Sequence, residues 1–351
     1  MNSFLVFKKN FVKVLTSARG VKPGFPAMYQ KHFGLLRKPF ELSPDVNTFF
    51  PSKMHKQVLA GLRQDVADDI SLLLLTGGEG SGKTALLNVL TASLEIPGQL
   101  CVIPDSALEN TDFFAYLGAQ FGLLFNGNKA KFLVLFANLL EECREDGRKI
   151  LLIIDEAHIL SIGLLEELRL LANLATEVKS VLTIFLVGQP ELLGRLTQEQ
   201  LFLLNQRVAV RYHLGNLTRE ECRQYILFRL NKAGAGSDEV FSENAEELIY
   251  EATGGNPRQI NLLCDNALLA AYLQGVPGID EELVRECIDR MHIRGDDSFL
   301  FLPPDTTIMR RGLVWTVLAV LLLEGAGMAF AYQKGWLVPV CQYLMRSIKL
   351  G

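Results

Sequence analysis

This 351-residue chain has six cysteines (Cys101, Cys143, Cys222, Cys264, Cys287 and Cys341), but no C-x-x-C pair and no paired histidine spacing. Scattered in this way they exclude a zinc-ribbon pattern and argue against a disulfide framework. They read as reduced thiols in a cytosolic body, most of them small buried apolar residues. Charge of one sign is also missing. A net charge of −4 leaves no global basic footprint, and no dense Lys/Arg patch with interleaved aromatics is visible in the core, which disfavours a nucleic-acid partner. The N-terminus lacks the apolar run of a signal peptide. What is not scarce is apolar content: a mean hydropathy of +0.20 leans high, and the excess lies near the C-terminus.

The most informative segment is Gly77-Gly78-Glu79-Gly80-Ser81-Gly82-Lys83-Thr84, a complete G-x-x-x-x-G-K-[ST] loop preceded by the apolar run Leu72-Leu73-Leu74. In such a loop glycines let backbone N–H groups turn inward on phosphates. The lysine reaches the β and γ oxygens, and the Thr hydroxyl binds magnesium. The dipole of a helix beginning near Gly82 adds positive potential. The nucleotide-contacting set is therefore Gly77, Gly78, Glu79, Gly80, Ser81, Gly82, Lys83, Thr84 and Ala85, with ATP and Mg2+ as the implied ligands.

Residues 1–27 carry Lys8, Lys9, Lys13, Arg19 and Lys22 with no acid, and Phe4, Phe7, Phe11 and Leu15 at helical spacing. They read either as a basic amphipathic arm on a membrane surface or as sequence ahead of the true start, since Met28-Tyr29 begins the organised text. From 28 to 214, predicted strands near 70–76, 100–103, 150–154, 181–187 and 208–214 alternate with amphipathic helices. This is the pattern of an α/β domain with a parallel sheet covered on both faces. Four helical stretches near 218–232, 242–252, 257–274 and 280–291 predict a small all-α domain over 215–293. A linker at 294–311 leads to 312–332, where about twenty residues hold one ionisable group, Glu324. That length spans a bilayer core of roughly 30 Å, so a transmembrane helix is expected there, followed by a short tail at 333–351. Because ATP is cytoplasmic, the domain ahead of the span is placed in the cytoplasm.

A second diagnostic is Lys149-Ile150-Leu151-Leu152-Ile153-Ile154-Asp155-Glu156, an apolar strand ending in two carboxylates roughly 70 residues after the loop. Asp155 is assigned to the metal and Glu156 to the general base that polarises the attacking water. His158 completes Asp-Glu-Ala-His and reads as a loop contact, no other helicase motif being present. Gln189 closes the next predicted strand, at the edge where ligands bind in open α/β sheets. It either holds the attacking water or caps the turn ahead of Pro190. Arg207 lies just before the last predicted strand, where an arginine can reach a neighbouring subunit's γ-phosphate; Arg195 and Arg211 compete for that role. Arg258, in Gly254-Gly255-Asn256-Pro257-Arg258, opens a helix with proline in its first turn. It either touches ATP in cis or is a surface arginine.

These residues, together with Phe33-Gly34-Leu35, Pro39-Phe40, the 165–171 stretch and Gly188-Gln189-Pro190-Glu191-Leu192, resemble the ExeA/GspA-like family of AAA+ secretion and pilus-biogenesis ATPases, its MshM-like members included. The likeness runs over residues 28–290. It implies an AAA+ fold with a helical lid and ATP bound between subunits of a homo-oligomer. By analogy Gln189 takes the sensor-1 position, Arg207 that of the trans finger and Arg258 that of sensor 2, with 40–51 helping to enclose adenine. Members of the ExeA type continue past a membrane span into a periplasmic peptidoglycan-binding domain. Only about twenty residues follow the expected span here, so wall binding would fall to a separate partner.

The expectation is a single-pass ATPase of the bacterial inner membrane, with its ATPase domain cytoplasmic, that assists assembly of a type II secretion or type IV pilus apparatus. The competing readings are a soluble AAA+ regulator of DNA transposition or replication initiation, and an ATP-binding switch with negligible turnover.

Overall fold

Leu72, Leu73, Leu74 and Leu75 are all fully buried, and they fill two cores rather than one. Side chains alternate across a strand. Leu72 and Leu74 enter one hydrophobic cluster, while Leu73 and Leu75 enter the other. Ile150, Leu152 and Ile154 join the first cluster, with Leu151 and Ile153 in the second; Ile184 and Leu186 join the first, with Phe185 and Val187 in the second. A strand covered on both faces must be apolar at every position, which is why these segments read as unbroken aliphatic runs.

The structure is a computed structural model that describes residues 28–43, 45–94, 98–103, 110–174, 181–236 and 240–291. Its strands are β1 (Leu72–Gly77), β2 (Gly98–Ile103), β3 (Lys149–Ile154), β4 (Leu182–Gly188) and β5 (Val210–Leu214). They form one parallel sheet in the order β2-β3-β4-β1-β5. The helices preceding and within this part of the chain are α1 (Met28–His32), α2 (Lys53–Ala67), α3 (Lys83–Ser93), α4 (Asn110–Phe121), α5 (Lys129–Glu145), α6 (Ile162–Leu174), α7 (Glu191–Leu196) and α8 (Phe202–Arg207). The first core is closed by α4 to α8, through residues such as Phe113, Phe132, Phe136, Leu165, Leu192 and Leu204. The second is closed by α2 and α3, through Val58, Leu62, Val66, Leu86 and Leu90. The register aligns Thr76 with Gly188 and Ile154 with Leu186, so the segments leaving β1, β3 and β4 emerge along one edge of the sheet.

After β5 come α9 (Arg219–Lys232), α10 (Glu243–Thr253), α11 (Pro257–Gln274) and α12 (Glu281–Met291). Thr218 and Glu221 form a reciprocal capping box at the start of α9. The residues from Tyr29 to Glu41 are fastened to these helices. Tyr29 Oη donates to Asp265 Oδ1 and Lys38 Nζ to Asp265 Oδ2. Buried Arg229 donates Nε to the Pro39 carbonyl at 2.6 Å and Nη2 to that of Glu41 at 2.8 Å. The described residues through Asp289 belong to one compact unit; Arg290 and Met291 group with a second. No helix among the described residues is long and apolar enough to cross a membrane. The span expected at 312–332 lies outside them, as do residues 1–27, the 294–311 linker and the 333–351 tail.

The buried cysteines do no visible chemistry. Burial pushes the thiols of Cys101 and Cys222 up to about 12 and that of Cys264 well above its usual value, and it raises Cys143 as well.

One buried carboxylate sets a pH dependence. Burial pushes Glu246 on α10 up to about 7; Arg223, with Nε 3.1 Å from Oε2, opposes the rise, and Glu243 and Glu220 add to it. In the unfolded chain a glutamate titrates near about 4.3. The folded state thus holds this proton to higher pH than the unfolded state, and its contribution to stability falls as pH rises from about 4.5 to 7. Glu246→Gln is expected to flatten the melting temperature over that interval and to raise it at pH 8. A variant that melts in parallel with the wild type from pH 5 to 8 would remove Glu246 from the account.

Candidate active site

A cleft of about 690 Å3 opens where the carboxyl edge of the sheet meets the helical bundle. That volume suits a small-molecule ligand of nucleotide size. Its floor is the loop joining β1 to α3. Gly80 and Gly82 hold φ of +74° and +96°, left-handed values that favour glycine. A Cβ on Gly77 would stand 2.6 Å from the Leu214 carbonyl, whereas one on Gly78 would meet nothing within 4 Å. Packing holds the loop from behind and leaves its Gly78 side open. Gly82 caps α3 without a side-chain bond, leaving the first amides of that helix as anion donors.

Lys83 is the first residue of α3, and its Nζ donates to the carbonyls of Gly77 at 2.8 Å and Gly78 at 2.9 Å. Burial lowers its pKa, opposed by Glu156, Asp155 and Glu79. Thr84 Oγ1 donates to Asp155 Oδ2 at 2.9 Å. Two hard oxygens side by side at the edge of a phosphate loop fit Mg2+, which binds through one or two protein oxygens and completes its shell with waters and phosphate. No cluster of three or more His, Cys, Asp or Glu side chains that could hold a metal occurs among the described residues, so the donor set is not that of an all-protein cage.

Asp155 Oδ1 accepts from the backbone N–H of Glu156, whose own φ of 53° and ψ of 36° are left-handed. Such a conformation costs a non-glycine residue about 1 kcal/mol or more and recurs at functional sites. The buried Oε2 of Glu156 accepts no hydrogen bond from the protein, although His158 Nδ1 lies 3.2 Å away. Burial raises this carboxyl's pKa, with Asp155 adding to the rise and Lys83 opposing it. A desolvated acceptor with spare capacity, facing the cleft, is equipped to take a proton from a water.

Gln189 lines the cleft, and its backbone N–H donates to His158 Nδ1 at 3.5 Å. Its carbonyl accepts from Leu192 in the first turn after β4, so the main chain serves the turn while the residue still faces the cleft. Arg258, second residue of α11, lines the opposite wall, where its guanidinium pairs with Glu79.

Arg207 stands apart. It is exposed at the end of α8 and is not among the residues lining its own chain's cleft. The two competing arginines are engaged elsewhere. Arg195 donates to the carbonyls of His158 and Leu160, holding the turn that follows Glu156. Arg211 Nη2 donates to Asn205 Oδ1 at 2.7 Å.

His158, read from the sequence as a loop contact, lies in the turn after Glu156 and touches both Glu156 and Gln189. Two other residues were given no role by the sequence reading. His55 is buried beneath the loop: Nδ1 lies 2.7 Å from Ser52 Oγ, the ring is bonded to the backbone of Ser81, and burial lowers its pKa. Asn256 caps α11 through Oδ1 and donates Nδ2 to the Glu79 carbonyl at 2.8 Å, joining the helical bundle to the phosphate loop. Of these only Asn256 left a local signal, the Asn-Pro pair of a helix start. Phe49 and Phe50 line the cleft beside Tyr225, within the stretch read as enclosing a base.

Residues 67–196 match the family model described as an AAA domain. Over 251 residues, 71% of this chain and 46% of the relative, the chain is 37% identical to General secretion pathway protein A of Aeromonas hydrophila. It spans less than half the length of the curated relatives it matches. Among solved structures it is similar to Cdc6p from Pyrobaculum aerophilum, with a TM-score of 0.56 at 19% identity over 74% of this chain and 72% of that one. It is also similar to Drosophila ORC bound to DNA, with a TM-score of 0.57 at 16% identity over 78% and 68%. At those identities the two structures establish the AAA+ P-loop fold and nothing further.

Proposed function

Taking as premise that this chain is an ExeA/GspA-like AAA+ protein, we propose that it is a Mg2+-dependent ATPase assisting assembly of a type II secretion or type IV pilus apparatus at the bacterial inner membrane. One observation carries the catalytic part: Thr84 and Asp155 in contact at 2.9 Å, between a buried Lys83 and a Glu156 whose Oε2 lacks a donor. Lys83 and the α3 amides would hold the phosphates, and Thr84 with Asp155 would hold the metal through oxygen and water. Glu156 would take the proton from the attacking water, which Gln189 would hold in place. ATP supplies the phosphoryl group, and the chain's part is positioning and charge compensation. In this reading an oligomer forms with Arg207 of one subunit facing the next subunit's cleft. The anchor would be residues 312–332.

Support for the apparatus comes from the secretion-pathway relative. Purified protein should release phosphate from ATP with Mg2+ and stop when EDTA is added. Cells lacking the chain should lose a secreted substrate or surface pili. Phosphate release that ignores EDTA, or secretion and piliation both intact, would overturn the corresponding half.

A further inference from the structure

Glu79 occupies one of the four free positions of the G-x-x-x-x-G-K-[ST] pattern, where the motif itself asks for no carboxylate. In this chain it is bound twice to the start of α11. Its carbonyl accepts from Asn256 Nδ2 at 2.8 Å, and its side chain pairs with the Arg258 guanidinium. The approach is tight, since a Cβ on Gly80 would stand 2.5 Å from Arg258 Cβ. Glu79 also faces the phosphate end of the cleft. Its charge is felt by both Lys83 and Glu156, and Glu79, Lys83, Glu156 and Arg258 line the same cavity.

The guanidinium therefore has an internal carboxylate partner at the place where, if Arg258 touches ATP in cis as its sensor-2 position implies, it would meet an anionic phosphate. We infer that Glu79 is a built-in competitor for Arg258, a placeholder that the terminal phosphate of a triphosphate must displace, making Glu79 a determinant of triphosphate against diphosphate affinity. This rests on the nucleotide-site reading of the cleft. Two electrostatic effects run in the same direction: the pair must break for Arg258 to reach the nucleotide, and an added phosphate charge beside a carboxylate is repelled. A double-mutant cycle separates them, because only the first needs Arg258. Both side chains of the pair are about half exposed, so the effect is modest and screened by salt.

The test uses the full chain and equilibrium binding of two probes, ADP and the non-hydrolysable β,γ-imido analogue of ATP, each with Mg2+. Glu79→Gln is expected to tighten the triphosphate analogue about two- to fivefold, the range an exposed ion pair allows, and to leave ADP nearly unchanged. The gain should shrink at high salt and disappear in an Arg258→Ala background. Melting temperatures of Glu79→Gln and of a second variant, Glu79→Ala, confirm that the loop remains folded. An equal gain for both nucleotides, no gain, or a gain that survives Arg258→Ala would overturn the competitor. If the wild type binds neither probe, the underlying nucleotide reading falls with it, and the two failures are distinguished by that control alone.

Discussion

Glu156→Gln is expected to lower ATP turnover by about a hundredfold or more while nucleotide affinity stays within about threefold of wild type. The amide keeps the size and planarity of the carboxylate, so the left-handed turn at Glu156 and the backbone bond to Asp155 have no reason to change. What is lost is the basic oxygen. Oε2 is buried, without a donor of good geometry, at the mouth of the cleft that also holds Lys83 and Gln189. Phosphate release under saturating ATP measures turnover, and equilibrium binding of the same nucleotide measures affinity. Turnover at the wild-type rate would mean that another group accepts the proton, and His158, 3.2 Å away, would be the first to substitute.

Arg207→Ala is expected to cost about a thousandfold in the turnover of the assembled protein and to abolish the rise of specific activity with protein concentration. The basis is the trans-finger position that the family resemblance implies for Arg207, with which its placement is compatible. Arg195 is bound by two carbonyls of its own chain and Arg211 by Asn205, whereas Arg207 is exposed and outside its own cleft. An arginine so placed is open to a neighbouring copy, as the proposed shared site requires. Mixing Arg207→Ala with Glu156→Gln subunits makes this decisive. An Arg207→Ala subunit retains its own base and can borrow the arginine of a Glu156→Gln neighbour, so the mixture should recover activity that neither variant has alone. If Arg207→Ala hydrolyses ATP normally at every concentration, the shared site is wrong and the cleft works in cis.

The sheet was legible because strands buried on both faces must be written as continuous apolar runs, and Leu72–Leu75 and Ile150–Ile154 leave no polar position to misread. The edges were harder. β5 carries the exposed Arg211 and His213 among half-buried neighbours, so its pattern is weaker, and it begins at Val210 instead of near 208. Lys83, Thr84 and Asp155 were legible because each sits at a fixed offset from a glycine loop or a strand end. His55 under Ser81 and Asn256 on Glu79 could not be read in this way. Their partners lie 26 and 177 residues away, joined by side-chain geometry that leaves no period and no local spacing. Arg207 is a different case: the sequence favoured it over Arg195 and Arg211, and the structure adds that those two bond within their own chain.

Scattered thiols suit a reducing compartment and so bear on where a protein resides. Their environment changes what that inference is worth. With Cys101, Cys143, Cys222 and Cys264 fully enclosed and their thiolates disfavoured, the folded chain offers oxidants and alkylating agents almost no nucleophile at these four positions. A reducing compartment would matter for these residues during synthesis and collapse, before the cores close. Afterwards burial itself shields these thiols from reagents outside.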